Sequence, residues 1–247
     1  MPVISIINQK GGTGKTTTSI NLGSSLSQLG KKVLLVDMDS QGNLGYSLGM
    51  DVEHSICDVF NGEAEIADVI QSTEGMDVVT SDMRLVDIEL SLIELDRRQE
   101  TLYNVLKDHF NNYDYVLIDC PPSLSILAVN ALYASDSVII PMLMEVLSLQ
   151  GLDQIIQTIE KINTTFNKSL EVLGVLPVMV DVRRKLSEEV KEYILENYEL
   201  KIFNSAIRNN VKASEAPSFG KSVITYSPSS NSAKDYIDFA NELVFLN

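Results

Sequence analysis

The chain has 247 residues, 45% hydrophobic and 21% charged, a composition that excludes wholesale disorder and is long enough for a sizeable buried core. Nineteen Lys and Arg stand against 34 Asp and Glu, and a net charge of −15 argues against a generic nucleic-acid coat protein, because phosphate binding needs cations. No stretch approaches the roughly 20 apolar residues of a bilayer span, no basic segment followed by a hydrophobic run opens the chain, and Cys57 and Cys120 make no disulfide framework; these features fit a reducing cytoplasm.

Short apolar or β-branched runs predict strands at 3–7, 33–36, 78–80, 115–118, 138–140 and 173–178. Most are continuously apolar instead of alternating, as in parallel strands buried on both faces. Helical periodicity lies between them. The first helix, 16–29, carries Ile20, Leu22, Leu26 and Leu29 and is closed by Gly30. A second, 150–166, places Leu152, Ile155, Ile156, Ile159 and Ile162 on one stripe, and a last one spans about 232–246. The polar face of that last helix sets Lys234 against Asp235, Asp238 and Glu242, without the cations a membrane-surface helix uses, so its apolar face is expected in the core. The alternation predicts one α/β domain over 1–247, a mostly parallel twisted sheet with helices on both faces.

The acidity is local. Residues 51–114 hold sixteen acids and four bases, whereas 201–221 set Lys201, Arg208, Lys212 and Lys221 against Glu215 alone. A small basic patch near the C-terminus is therefore compatible with an acidic chain.

The strongest chemical signal is Lys10-Gly11-Gly12-Thr13-Gly14-Lys15-Thr16-Thr17, directly after the first strand and before the first helix. Glycines let successive N–H groups turn toward phosphate oxygens, and the helix N-terminus adds its positive end. Lys15 is then expected on the β- and γ-phosphates and Thr16 on Mg²⁺. The loop departs from the common spelling of a phosphate loop in carrying a second lysine, Lys10, at the wrong end for its own nucleotide. A use for it is to reach a partner subunit's phosphates in the manner of an arginine finger. Two carboxylates follow apolar strands: Asp39 in Asp37-Met38-Asp39-Ser40-Gln41-Gly42-Asn43, and Asp119 in Asp119-Cys120-Pro121-Pro122. The ends of parallel strands border the ligand crevice of open α/β sheets, which suits Asp119 to Mg²⁺ through water and Asp39 to the attacking water and the metal's surroundings. His54 and His109 have no His or Cys at ligand spacing.

The deviant phosphate loop (deviant Walker A), VDMDSQGN, IDCPPS and the tail AIRNNVKASEAPSFGKSVITYSPSS together resemble the ParA/Soj-type partition ATPases of the MinD/ParA superfamily over nearly the whole chain, with 51–114 matching only loosely. The resemblance implies a P-loop NTPase fold and a cytoplasmic, nucleoid-associated ATPase that uses ATP and Mg²⁺ and dimerises around two nucleotides. It also implies non-specific DNA binding by the ATP dimer and hydrolysis stimulated by a ParB-type centromere-binding partner. By motif position Lys10 is the signature lysine, Lys15 the phosphate-loop lysine, Asp39 the hydrolytic aspartate and Asp119 the Walker B aspartate. Gly11 falls where close subunit approach tolerates no side chain, and Asn210 falls on the nucleotide side. DNA contacts are implied for Arg183, Arg184, Lys185 and Lys212, with Lys221 nearby. One departure stands out: where relatives commonly read Pro-Arg-Asn, this chain has Arg208-Asn209-Asn210. Other readings remain open from sequence: a ParA-like positioner of protein cargo, a MinD-like membrane-cycling ATPase (disfavoured by a C-terminus without a basic amphipathic extension), and a metabolic iron-protein reductase lacking the cluster cysteines.

Overall fold

The computed structural model describes residues 2–166, 168–180 and 186–246. In chain order β1 (Val3–Ile6), α1 (Lys15–Gln28), β2 (Val33–Asp37), α2 (Asn43–Ser47), α3 (Ile56–Phe60) and α4 (Ile66–Val69) come first. Next come β3 (Ile70–Thr73), β4 (Met76–Val79), α5 (Leu85–Ile93), α6 (Thr101–Leu106), β5 (Tyr115–Asp119) and α7 (Ile126–Ala134). Then follow β6 (Ser137–Met142), α8 (Val146–Phe166), β7 (Glu171–Val180), α9 (Leu186–Asn197), β8 (Ile207–Arg208), α10 (Val211–Glu215), α11 (Val223–Tyr226) and α12 (Asn231–Leu246).

The described strands form one eight-stranded sheet in the order β3-β4-β2-β5-β1-β6-β7-β8, with only the β3 and β4 pair antiparallel. Successive side chains point to opposite faces. Val3 and Ile7, Leu34 and Val36, Val116 and Ile118 enter a core beneath α5 to α8, while Ile4 and Ile6, Val33 and Leu35, Tyr115 and Leu117 enter a second core beneath α1, α11 and α12. Two buried faces explain why these strands read as unbroken apolar runs. All six predicted strands and all three predicted helices are present.

Two strands escaped prediction for physical reasons. Edge strand β3 reads IQST and is only partly buried, so no apolar run marks it. Strand β8 has two residues and pairs with β7 across a bulge between Val178 and Val180. The last helix packs on the core as expected, with Tyr236, Phe239, Ala240 and Leu243 buried against the second cluster. Among the described residues no helix is long and apolar enough to cross a membrane.

Neighbouring strands β1 and β5 are followed by helices on opposite faces, α1 and α7. Such a switch point opens a crevice beyond the strand ends. The phosphate loop and Asp119 meet there.

Candidate active site

Residues 10–14 bridge β1 and α1 as a loop braced from below. Asn8 donates from Nδ2 to the Pro141 carbonyl (2.7 Å) and accepts the Lys10 N–H on Oδ1 (3.0 Å), while Thr13 Oγ1 donates to the Lys10 carbonyl (3.1 Å). Gly14 caps α1 in the left-handed region at φ 74°, a conformation that disfavours any Cβ. Lys15 and Thr16 open the helix, where backbone N–H groups have no intrahelical partner.

Strands β2 and β5 run in register, so that Asp37 lies beside Asp119. Asp119 is buried and accepts Ser19 Oγ on Oδ1 (3.1 Å), with the Thr16 hydroxyl close enough to favour its charged form. Burial pushes its carboxyl up to about 7 against the opposing pull of those two hydroxyls and of Lys15. Its Oδ2 has no hydrogen-bond partner within the protein. An orphaned buried carboxylate oxygen next to a hydroxyl is a donor set suited to a hydrated hard cation. Among the described residues no three His, Cys, Asp or Glu converge as a metal cage, and a cation that keeps water and phosphate ligands needs none.

Lys15 is itself buried, at 7% exposure; desolvation lowers its pKa while Asp119 and Asp39 hold it up. Asp37 serves the loop that follows it. Its carboxylate accepts the N–H groups of Asp39 (2.9 Å) and Leu44 (3.3 Å), and burial raises its pKa well above the carboxylate range. Asp39 in turn accepts the Gln41 N–H on Oδ1 (3.0 Å), and its carbonyl accepts the Ser81 hydroxyl. Gly42 closes this turn at φ 60°, where a Cβ would come within 2.9 Å of the Ser81 carbonyl. Neighbouring Cys120 is an inert core thiol, its pKa pushed by burial to about 12.

These groups border one cleft of about 440 Å³, lined by Gly11, Gly12, Gly14, Lys15, Thr16, Thr17, Asp39 and Gln41. Its far wall comes from the C-terminal segment: Ala213, Ala216, Pro217, Lys221 and Val223. Lys221, expected among the DNA contacts, thus lines the cleft. Asn210 caps α10, accepting the Lys212 N–H on Oδ1 (2.8 Å), and lines a smaller adjoining cavity with Gly14 and Thr17. Lys212 is exposed and pairs with Glu215 at 2.7 Å. Arg183, Arg184 and Lys185 lie outside the described residues.

Lys10 does not line its own chain's cleft. Its Nζ stands 3.7 Å from Glu145. Asn21, Gln41, Tyr46 and the wall residues were missed by sequence reasoning, as were Ser19 and Ser81. Only Ser19 had a usable signal: it lies one helical turn beyond Lys15, on the face toward the strand ends.

The departure at Arg208 has a local cause. Its guanidinium Nε reaches both carboxylate oxygens of Asp235 on α12 (3.1 and 3.0 Å), and its backbone N–H donates to Oδ2 (2.9 Å), a bond proline cannot make. Arg208 is therefore a cross-brace between β8 and α12. Asp235→Ala will cost about 1–2 kcal/mol, discounted for the partly exposed guanidinium, and urea unfolding will measure it.

The raised Asp119 pKa sets a pH dependence. Between the unfolded carboxylate value and about 7 the folded chain retains a proton that the unfolded chain has lost, so this group's contribution to apo stability falls as pH rises through that window. Cation binding requires the proton to leave. Affinity for Mg²⁺-nucleotide will therefore weaken as pH drops below about 7, by up to about tenfold per pH unit, in calorimetric titrations from pH 8 to pH 5.5.

The family model described as an AAA domain matches residues 1–172. The sporulation initiation inhibitor protein Soj of Bacillus subtilis is 43% identical over 246 residues, which is 98% of this chain and 97% of that protein. The chain belongs to the ParA/Soj family of partition ATPases. The chromosome partitioning protein ParA of Caulobacter vibrioides is 42% identical over 249 residues, covering 98% of this chain and 93% of that one. Among solved structures, cobyrinic acid a,c-diamide synthase from Mycobacterium smegmatis with a bound ATP analogue and magnesium superposes with a TM-score of 0.86 at 33% identity, covering 99% of this chain and 94% of that chain. The sheet and helices of this family member are those of a P-loop NTPase.

Proposed function

We propose that this chain is an Mg²⁺-dependent ATPase that drives DNA segregation as a nucleotide-switched homodimer. The observation that carries the reading is the convergence of Lys15, Thr16 and Asp39 on one cleft at the sheet's switch point, with Asp119 buried beside Lys15. Lys15 and the loop N–H groups bind the phosphates, Asp119 and Thr16 hold the hydrated metal, and Asp39 accepts a hydrogen bond from the attacking water. Mg²⁺ held there would supply positive charge to offset that of the phosphates. The cognate proteins' names, chromosome partitioning and Soj, supply the biological class.

Two features support dimerisation around nucleotide. Lys10 is half exposed and points away from its own cleft toward Glu145. A Cβ on Gly11 would meet nothing within 4 Å in a single chain, so any demand for glycine there comes from outside it, from the nucleotide in the cleft or from another subunit. With Lys10 inserted, each site holds one more cation opposite the γ-phosphate. The whole of 1–247 acts as one domain, associating with nucleoid DNA through the basic segments that include Arg183, Arg184, Lys185, Lys212 and Lys221, with a ParB-type partner stimulating hydrolysis. A net charge of −15 makes such binding weak per subunit and favours the dimer, which sums two patches.

The test is DNA binding with ATP, with ADP and without nucleotide, at two salt concentrations. Binding is expected with ATP alone, falling with salt at a slope of about −0.9 per phosphate contacted. Binding that ignores nucleotide or salt would remove the DNA track from the mechanism.

A further inference from the structure

The far wall of the nucleotide cleft is held from outside the cleft. Lys221 and Val223 line it, and Ser222 between them is buried. The Ser222 N–H donates to Oε1 of Glu74 (3.0 Å), a residue 148 positions earlier in the chain that does not border the cleft. The other carboxylate oxygen of Glu74 accepts the Ser24 hydroxyl of α1 (3.0 Å), and the Ser24 and Ser222 hydroxyls stand 3.0 Å apart. Ser222 Oγ in turn accepts the Thr225 N–H (3.1 Å) and caps α11. One carboxylate thus ties the β3–β4 hairpin, α1 and the tail together where the tail becomes the wall.

The backbone shows that this side chain has a use. Glu74 and Gly75 form the turn between β3 and β4, and Glu74 sits at φ 50°, in the left-handed region that a glutamate occupies at a cost. Hairpin chemistry favours Asn-Gly in such a turn. A residue in that region persists where its surroundings over-determine it. Here Ser27 Oγ of α1 donates to the Gly75 carbonyl (3.0 Å), and the Glu74 carboxylate makes the two bonds above.

A second tie lies one turn earlier on α1. Asn21 borders the cleft, accepts the Val223 N–H on Oδ1 (2.7 Å) and donates from Nδ2 to the Thr17 carbonyl (2.6 Å). Asn21 sets the wall against the phosphate loop, and Glu74 holds the residue before it. Removing the carboxylate strips a buried N–H and a buried hydroxyl of their acceptor, and the wall must move to satisfy them.

We propose that Glu74 is a positioning residue for nucleotide binding: reaching across α1, it fixes Ser222 and so holds Lys221 and Val223 in place opposite the phosphate loop. The identity of the ligand rests on the ATPase reading above; the clamp on Ser222 does not.

Three variants of the full chain test it. Glu74→Ala removes the acceptor. Glu74→Asn suits the left-handed turn but is too short to reach Ser222, so it keeps the chain folded should alanine fail. Glu74→Gln keeps an acceptor for the Ser222 N–H, and the serine hydroxyls can reverse direction to accept its amide. Alanine and asparagine are expected to raise KM for ATP, and Kd for a fluorescent ATP analogue, about tenfold, with kcat falling less than twofold; glutamine is expected to restore affinity to within threefold of wild type. Hydrogen exchange at the Ser222 and Val223 amides, measured without nucleotide, will quicken about tenfold in the alanine and asparagine variants and not in glutamine. A folded asparagine variant with wild-type affinity overturns the positioning role, and so does a fall in kcat at unchanged KM. Glutamine as weak as alanine overturns the hydrogen-bond account in favour of charge. Unchanged exchange in all three overturns the clamp itself. A wild-type chain that binds no ATP sinks the ATPase reading, while exchange still decides the clamp.

Discussion

Lys15→Ala will abolish measurable nucleotide binding. Lys15 is the buried cation nearest the phosphate-binding turn, with Asp119 and Asp39 both close enough to raise its pKa against the desolvation that lowers it. Without it, the triphosphate would enter a crevice bordered by the Asp39 carboxylate, with Asp119 buried close behind. Removing one partner from such a desolvated cluster costs about 3–5 kcal/mol, a loss of two to more than three orders of magnitude in affinity. Titration with a fluorescent ADP or ATP analogue will read the loss, with circular dichroism confirming the fold. Lys15→Met, which keeps the aliphatic stem packed, will behave the same way if charge is the cause. Affinity within tenfold of wild type in either variant would transfer phosphate recognition to the backbone N–H groups alone.

Asp39→Ala will separate binding from turnover. The Asp39 side chain is nearly buried, borders the cleft and is held by the Gln41 N–H, whereas the proposed phosphate contacts belong to another loop. Nucleotide affinity will therefore stay within a few-fold. Hydrolysis will fall about 10²- to 10⁴-fold, the range for removing a positioned base, and an ATP-bound dimer will accumulate. Single-turnover hydrolysis and sedimentation velocity with ATP read both effects. Turnover at the wild-type rate would reassign the water-positioning role to another group in the cleft.

The two variants probe groups brought together from different strand ends, and their legibility in the sequence differs. Lys15, Thr16 and the glycines stand in one short run after β1, so their chemistry and their placement arrive together. Asp39 and Asp119 were legible because each follows an apolar strand and parallel strands share a direction. Asp37 stands in the same segment, but nothing in the sequence marks it as the carboxylate that braces the Asp39 loop, because spacing alone does not reveal which of two nearby acids turns inward. Lys221 illustrates the converse. Its positive charge reads as a DNA contact, and the fold also sets it on the wall of the cleft with Pro217 and Val223, a placement the sequence does not announce. A surface cation has no periodicity to announce what it faces.

Local order along the chain thus decided the fold class, the phosphate loop and the identity of the two acidic partners, since strand burial and glycine conformations are properties of short segments. Which strands became neighbours was decided only in three dimensions. The placement of Asp37 beside Asp119 depends on β2 and β5 pairing in register across nearly eighty intervening residues, and nothing in either strand's apolar run specifies that register. The same long-range packing folds the tail over the cleft and joins Arg208 to Asp235. Burial of apolar faces drives that assembly. It has no direction along the chain, so its outcome is read from the folded protein.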